Sequence, residues 1–275
     1  YESDFKDFSI FCLKNGLKPL PTEPKILSIY LTYLSKICKF STIKRRIASI
    51  KVVHKMKGHY LDVKHPVIVE NLLGIKRVNG SYQRAKKPIL INNLIEIINV
   101  IDKNEKDESK KKRNKSLILL GFSGGFRRSE LVDIEKEDLE FVKEGLKIFI
   151  RRSKTDQSGE GNIKAIPYFD NKQFCAVTTL KEWIKYKHIA KGKIYDISDK
   201  SVSLIIKKYA LMVGLDPKQY AGHSLRSGFA TSAAEAGAEE RNIMAMTGHK
   251  TTQMVRRYIN EANLFKNNAL NKIKL

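Results

Sequence analysis

The most informative stretch of this chain is Gly222–Asn260, which has the sequence GHSLRSGFATSAAEAGAEERNIMAMTGHKTTQMVRRYIN. Its Ala-rich first part predicts a helix over residues 223–237, because Ala is the strongest helix former. His223 and Arg226 are three residues apart and therefore lie on one face of that helix. Such a pair suits a phosphate, since a guanidinium donates two parallel hydrogen bonds and keeps its charge.

The second half of the stretch adds an imidazole and a phenol. Gly248 and His249 form a pair, and Tyr258 follows nine residues after the histidine. Thr251 or Thr252 is a good N-cap for a short helix that carries Tyr258. A tyrosine hydroxyl can act as a covalent nucleophile where its neighbours stabilise the phenolate. The stretch as a whole therefore offers the side chains for phosphate chemistry.

Other readings of the same residues stay open. A single tyrosine in an amphipathic segment is usually a half-buried packing residue with a wet tip. Residues 233–249, with Gly237 at a turn, also have the pattern of a helix-turn-helix, which would make this part a plain DNA reader. The case for chemistry depends on the combination of residues and on what lies upstream.

Composition points to a polyanion as partner. The chain has 275 residues, a formal net charge of +23 and 42% apolar residues, which is enough to form a core. A strong positive charge is the pattern expected of a nucleic-acid binder. Codon bias of an AT-rich genome would explain part of the lysine excess, but not the crowding of basic residues into particular segments.

The cysteines and the apolar runs exclude several classes of protein. Cys12, Cys38 and Cys175 are far apart and form no C-x-x-C pair, which argues against a disulfide framework or a zinc site and favours a reducing cytoplasm. We identify no signal peptide and no membrane span, since the longest apolar run, residues 117–122, is far too short. The start at Tyr1 without Met suggests a trimmed chain.

Residues 1–80 predict a small helical domain with a basic face. Apolar periodicity predicts four helices: residues 1–14, residues 25–38, one capped by Ser41 or Thr42, and one after Pro66. Four basic residues of the third helix are expected to face outward and contact DNA phosphates: Lys44, Arg45, Lys51 and Lys55. The alternative is an ordinary solvated surface.

Residues 81–88 predict a linker, and residues 89–275 a second domain. The linker is polar and basic, and we expect three of its residues to contact DNA: Arg84, Lys86 and Lys87. A helix is predicted over residues 89–101, an exposed charged loop over residues 102–114, and a buried helix from Ser116. The tail, residues 262–275, predicts a further short amphipathic helix.

The centre of the second domain predicts a turn and a β-hairpin. Gly124 and Gly125 end the buried helix, and Arg127 falls at the junction before a helix that begins at Ser129 or Glu130. Residues 145–168 alternate like a hairpin. Leu146, Ile148 and Ile150 form one strand face, Ile163 and Ile166 return, and Lys154 lies near the turn. The fold class is thus mainly α with a small β-hairpin or sheet.

Taken together, these residues resemble the tyrosine recombinase (phage integrase) family. The family signature is an arginine in G-x-R-x-S-E-L, a lysine on a β-hairpin, H-x-x-R, G-H and a tyrosine about nine residues on. The matching positions are Arg127, Lys154, His223, Arg226, His249 and Tyr258. The first domain is similar to the family's helical core-binding domain. Arg128 departs from the pattern, which often has an aliphatic residue there. The match at Lys154 is the least specific, because three other basic residues share its hairpin: Arg151, Arg152 and Lys164.

The resemblance implies a site-specific DNA recombinase or integrase. Tyr258 would attack a DNA phosphodiester and form a 3′-phosphotyrosyl link, which a 5′-hydroxyl of a partner strand then attacks, without metal, ATP or other cofactor. Arg127 and Arg226 would stabilise the transition state, and Lys154 would protonate the leaving 5′-oxygen. His223 would help to accept the Tyr258 proton, His249 would hydrogen-bond the phosphate, and Glu130 would orient the cluster.

The family also implies partners and a location. These are double-stranded DNA, a homotetramer on DNA from a free monomer or weak oligomer, no membrane, and a cytoplasmic, nucleoid-associated protein. Two alternatives stay open. A DNA-binding protein that kept only the fold would not need Tyr258 or Lys154, and a type IB topoisomerase would act as a monomer.

Overall fold

The computed structural model describes residues 1–80, 85–151, 161–263 and 269–273. The chain divides into two compact units, Tyr1–Arg84 and Ala85–Leu275, each with its own core. Within the described residues, no helix combines the length and the apolar character that a bilayer crossing requires. The boundary between the two units, after residue 84, falls within the predicted linker, residues 81–88.

The first unit consists of four helices, as the apolar periodicity predicts. They are α1 (Glu2–Lys14), α2 (Pro24–Ser35), α3 (Phe40–Met56) and α4 (Pro66–Asn79). Pro24 and Pro66 stand in the first turns of their helices, where a missing N–H leaves no bond unmade. The core of this unit is built from one buried face of each helix.

The start of α3 corrects one prediction. The helix begins at Phe40 after an extended Lys39, so Ser41 and Thr42 lie inside its first turn and do not cap it. Along its outer face Lys44, Lys51 and Lys55 are exposed, as predicted.

Arg45 is exposed on the same helix but already has a partner. Its guanidinium forms an ion pair with the buried carboxylate of Asp4 on α1. Ser49 donates a second hydrogen bond to that carboxylate, at 2.7 Å. Arg45 therefore helps to hold α1 against α3.

The second unit is helical around a small sheet. Its helices are α5 (Ile91–Asn104), α6 (Glu108–Ser123), α7 (Arg128–Asp133), α8 (Ala176–Tyr186), α9 (Asp199–Met212), α10 (His223–Glu235), α11 (Glu240–Thr247) and α12 (Thr252–Ala262). Its strands are β1 (Leu139–Phe141), β2 (Gly145–Ile150) and β3 (Asn162–Pro167). Short 3₁₀ turns occupy Lys136–Asp138, Lys172–Phe174, Pro217–Gln219 and Ala269–Lys272. The last of these lies within the predicted tail, residues 262–275.

Much of the segment predicted as an exposed charged loop is helical instead. Helix α6 begins at Glu108, because the Asp107 carboxylate accepts the backbone N–H of Lys110 at 3.0 Å and caps the helix. Asn114 is buried and donates to the Tyr209 hydroxyl at 2.9 Å. The charge density of the segment concealed both the cap and this tertiary contact.

The sheet is antiparallel in the order β1-β2-β3. Leu146, Ile148 and Ile150 are buried on one face of β2, as predicted. Ile163 and Ile166 both lie on the return strand β3, as predicted, but 63% of the Ile163 surface is exposed. Side chains alternate along a strand, so Ile166 and Lys164 share the buried face and Ile163 points away.

Candidate active site

Arg127 is placed by a tight glycine turn between α6 and α7. Gly125 has a φ of +54°, a left-handed conformation that glycine adopts without strain. Arg127 then stands at the N-cap of α7, one residue before the helix begins. The buried Glu130 carboxylate holds it twice, accepting the Arg127 N–H at 3.0 Å and Nη1 at 2.5 Å. Glu130 therefore holds the backbone and the guanidinium of Arg127 in place.

Arg226 reaches the same turn from α10. Its Nη1 donates to the Gly125 carbonyl at 2.9 Å, and only 1% of the residue is exposed. Its Nε has no hydrogen-bond partner among the residues that the structure describes. Burial lowers the Arg226 pKa to about 10, and the charge of Arg127 adds to this effect. The guanidinium is still charged at neutral pH, so it is a buried cation with an unused donor.

Lys164 is a third cation at this turn, and it comes from strand β3. Its Nζ donates to the Gly124 carbonyl at 2.7 Å and lies 4.4 Å from the centre of the Phe126 ring. The Lys164 pKa is lowered from 10.5 to about 7, mainly by burial; Glu130 opposes this shift, and Arg226 and Arg127 add to it. Two cations thus hold two consecutive carbonyls of the turn that precedes Arg127.

His249 and Tyr258 close the site from α11 and α12. Gly248 ends α11 with a left-handed φ of +63°, which brings His249 back towards the helix end. The centres of the His249 and Tyr258 rings are 5.9 Å apart. Burial lowers the His249 pKa to about 4, and Arg226, Arg127, His223 and Lys164 add to that shift. His249 is therefore a neutral ring at neutral pH within a field of positive charge.

His223 is the first residue of α10 and lies near the same cations. Part of its surface is open to solvent. Partial loss of hydration lowers the pKa of the His223 ring, and the charges of Arg226 and Arg127 add to this effect. A histidine kept neutral at neutral pH can accept a proton.

The structure thus brings five of the six predicted polar residues into one electrostatically coupled cluster, with Glu130 beneath it. The sixth, Lys154, lies outside the described residues, as do Arg152 and Arg84. In the second half of the predicted linker, the Lys86 ammonium bonds the Lys218 carbonyl and the Lys87 N–H donates to the Gln219 carbonyl at 2.8 Å.

Two residues of the cluster escaped the sequence analysis. Lys164 was noted only as a neighbour of Lys154, although the buried Ile166 two residues later would have placed it on the inner face. Thr247 is fully buried, and its hydroxyl lies 2.7 Å from His249 Nδ1. No pattern in the sequence marks that contact, because it depends on how the chain turns at Gly248.

This arrangement favours chemistry on a phosphate. The basic side chains of Arg127, Arg226 and Lys164 gather at one place, and the buried Nε of Arg226 has no partner among the described residues. Fixed cations that need no reorganisation stabilise charge in a transition state better than water does. Tyr258 is half-buried beside a neutral histidine, so a nucleophile and proton acceptors adjoin the anion site.

Known proteins match this chain over most of its length. The model of the phage integrase family matches residues 90–264. An integrase/recombinase XerD homolog from Selenomonas ruminantium is 40% identical, over 99% of this chain and 84% of that protein. The tyrosine recombinase XerC from Staphylococcus saprophyticus is 24% identical, over 96% of this chain and 86% of its own.

Solved structures share the fold. A XerH site-specific recombinase bound to its palindromic difH substrate, in a post-cleavage complex, has a TM-score of 0.68 at 15% identity, covering 90% of this chain and 73% of that one. A lambda integrase dimer bound to a COC′ core site has a TM-score of 0.60 at 18% identity, covering 93% and 87%.

Proposed function

We propose that Tyr258 is the nucleophile of this chain, which belongs to the phage integrase family and is a tyrosine-type site-specific recombinase. The Tyr258 oxygen attacks a DNA phosphodiester, the bond from phosphorus to the 5′-oxygen breaks, and a 3′-phosphotyrosyl link forms. A 5′-hydroxyl from a partner strand then attacks that link and releases Tyr258. The observation that carries this proposal is the position of the Tyr258 ring beside His249, next to three coupled cations.

The cations divide the work between them. Arg127, oriented by Glu130, and Arg226, with its free Nε, bind the non-bridging oxygens and stabilise the charge that grows in the transition state. Removing one donor of this kind costs on the order of 10²–10³ in rate. Lys154 is proposed as the general acid that protonates the leaving 5′-oxygen.

The two histidines are assigned different roles. His223 is neutral at neutral pH and is proposed to help accept the Tyr258 proton. His249 is proposed to contact the phosphate. A general base must be unprotonated when the tyrosine attacks, and the lowered pKa of His223 favours that state.

DNA binding is proposed to use both units of the chain. The first unit contributes the exposed Lys44, Lys51 and Lys55, and the net charge of +23 adds a long-range attraction to phosphates. Four copies would assemble on two DNA sites, since strand exchange needs two duplexes cut together. We place this activity in the cytoplasm, on nucleoid DNA.

The test is a covalent-trapping assay on DNA that the protein itself selects. Duplexes with a randomised core are enriched for binding, and the best duplex is then nicked beside the cleaved phosphate, so that a short 5′-hydroxyl fragment diffuses away. We expect a protein–DNA band that resists denaturation and forms equally with EDTA present. Tyr258→Phe should bind the duplex but form no band.

The matched control is Tyr186→Phe, a partly exposed tyrosine on α8. This variant should form the band at the wild-type rate. Binding without any band in the wild-type chain would favour a protein that kept the fold but not the chemistry. Relaxation of supercoiled plasmid by a monomer, without strand exchange, would favour the topoisomerase alternative.

A further inference from the structure

The hydroxyl of Thr247 has two close partners at the end of α11, besides a longer contact of 3.5 Å to the Met244 carbonyl. Its Oγ1 is 2.6 Å from the Ile243 carbonyl oxygen, one helical turn earlier, and 2.7 Å from His249 Nδ1. Thr247 is fully buried, so water does not compete for either contact. Both contacts are short enough to be well-formed hydrogen bonds.

Counting protons assigns the direction of both bonds. A carbonyl oxygen can only accept, and a threonine hydroxyl has one proton to give. Two oxygens 2.6 Å apart need that proton between them, so Thr247 donates to Ile243. The oxygen of Thr247 then faces His249 Nδ1 with a lone pair, and Nδ1 must carry a proton to donate to it.

We propose that Thr247 is a positioning residue that holds the neutral His249 ring in the Nδ1–H tautomer, with Nε2 unprotonated. This inference deepens the proposed function and depends on it only for the role of the ring in cleavage. In the free protein, Nε2 is then a proton acceptor. It becomes a donor to a phosphate oxygen only after it takes up a proton and the ring becomes an imidazolium.

The groups around the His249 ring explain why it is neutral in the DNA-free protein. Burial and the nearby positive charges, chiefly those of Arg226 and Arg127, disfavour the imidazolium. A bound phosphate adds negative charge beside these groups and reverses part of that effect. DNA binding should therefore raise the His249 pKa, with Thr247 keeping Nδ1 bonded in both protonation states. The expectation that His249 simply donates to the phosphate is refined accordingly.

The first measurement is imidazole ¹⁵N NMR of the DNA-free protein labelled at its six histidines. His249→Gln assigns the signal. We expect a protonated Nδ1 and an unprotonated Nε2 at neutral pH in the wild-type chain and in Thr247→Ser, which keeps the hydroxyl. Thr247→Val keeps the shape but loses the oxygen, so the His249 signal should shift to the Nε2–H tautomer.

The matched control is Thr231→Val on α10. Thr231 is 2% exposed, and its hydroxyl has no hydrogen-bond partner within the part of the chain that the structure describes. This variant should leave the His249 tautomer unchanged. A wild-type His249 that carries its proton on Nε2, or an Nδ1–H tautomer that survives in Thr247→Val, would overturn the proposal.

The second measurement is covalent trapping with the same variants over a range of pH. Thr247→Val should lower the trapping rate by roughly tenfold, as the loss of an orienting partner does for other functional histidines. It should also change the pH profile, leave DNA affinity intact and be rescued by Thr247→Ser. An unchanged rate and profile in Thr247→Val would contradict the role in cleavage. Loss of trapping in every variant and in the wild type would count against the proposed function, while the NMR result would still decide the tautomer.

Discussion

The buried ammonium of Lys164 should make the stability of the second unit depend on pH in a way that one substitution removes. Only 4% of this residue is exposed, and burial lowers its pKa from 10.5 to about 7. In the unfolded chain the lysine keeps its proton up to about pH 10.4. Between these values the unfolded state binds more protons, so the free energy of unfolding rises with pH.

The size of this effect follows from the two pKa values. At pH 6 the charged lysine costs the fold about 5 kcal/mol, and the cost falls by about 1.4 kcal/mol per pH unit above pH 7. Lys164→Met removes the charge but leaves the Gly124 carbonyl without its donor, which costs about 1–3 kcal/mol. The methionine variant should therefore be more stable by about 2–4 kcal/mol at pH 6 and about equal to wild type at pH 9.

Urea unfolding between pH 6 and pH 9 measures this difference. The single tryptophan, Trp183, is buried in the core of the second unit and donates to the Ile194 carbonyl, so its fluorescence reports on that unit. The matched control is Lys147→Met on β2, which removes an exposed lysine that pairs with Glu140.

Two results would refute this reasoning. A stability difference between wild type and Lys164→Met that does not change with pH would mean that the lysine is not buried as a cation. A slope of the same size in Lys147→Met would mean that loss of any lysine charge, and not of the buried one, causes it.

Three further outcomes are expected. Arg226→Lys should lower the covalent-trapping rate by about 10²–10³ with DNA affinity retained, because a compact ammonium that bonds the Gly125 carbonyl lacks the planar fork of donors that a guanidinium presents to a phosphate; an unchanged rate would exclude a transition-state role. Glu130→Gln should slow trapping by roughly tenfold and destabilise the second unit by about 1–3 kcal/mol, since it breaks the ion pair with Arg127; a stability loss with normal trapping would make Glu130 purely structural. Lys51→Ala should weaken binding to all DNA sequences alike and reduce the slope of log K against log salt by about one, measured by fluorescence anisotropy; a change in sequence preference would assign Lys51 to base readout.

Much of the helical framework could be predicted because local signals agree with the tertiary structure. Pro24 and Pro66 mark helix starts, and the apolar residues of α2 and α3 repeat at helical spacing. The glycine turn before Arg127 and the pair Gly248-His249 also have local causes, since both glycines adopt left-handed conformations. These helix starts and turns can be predicted because the residues that determine them lie nearby in the sequence.

The errors arise where a distant residue decides the outcome. The segment before Ser116 is highly charged, yet Asn114 is buried there because its side chain reaches Tyr209. Lys164 shares the inner face of β3 with Ile166, but its carbonyl partner at Gly124 lies forty residues earlier. Contacts of this kind leave no periodic trace.

The most direct test of the central claim is to find which side chain carries the DNA. The covalent complex formed on the selected, nicked duplex is digested with nuclease and trypsin, and the nucleotide-linked peptide is sequenced by mass spectrometry. The account predicts a single adduct, a 3′-phosphate ester on the hydroxyl of Tyr258. An adduct on another residue, or a 5′-linked nucleotide on Tyr258, would contradict the mechanism.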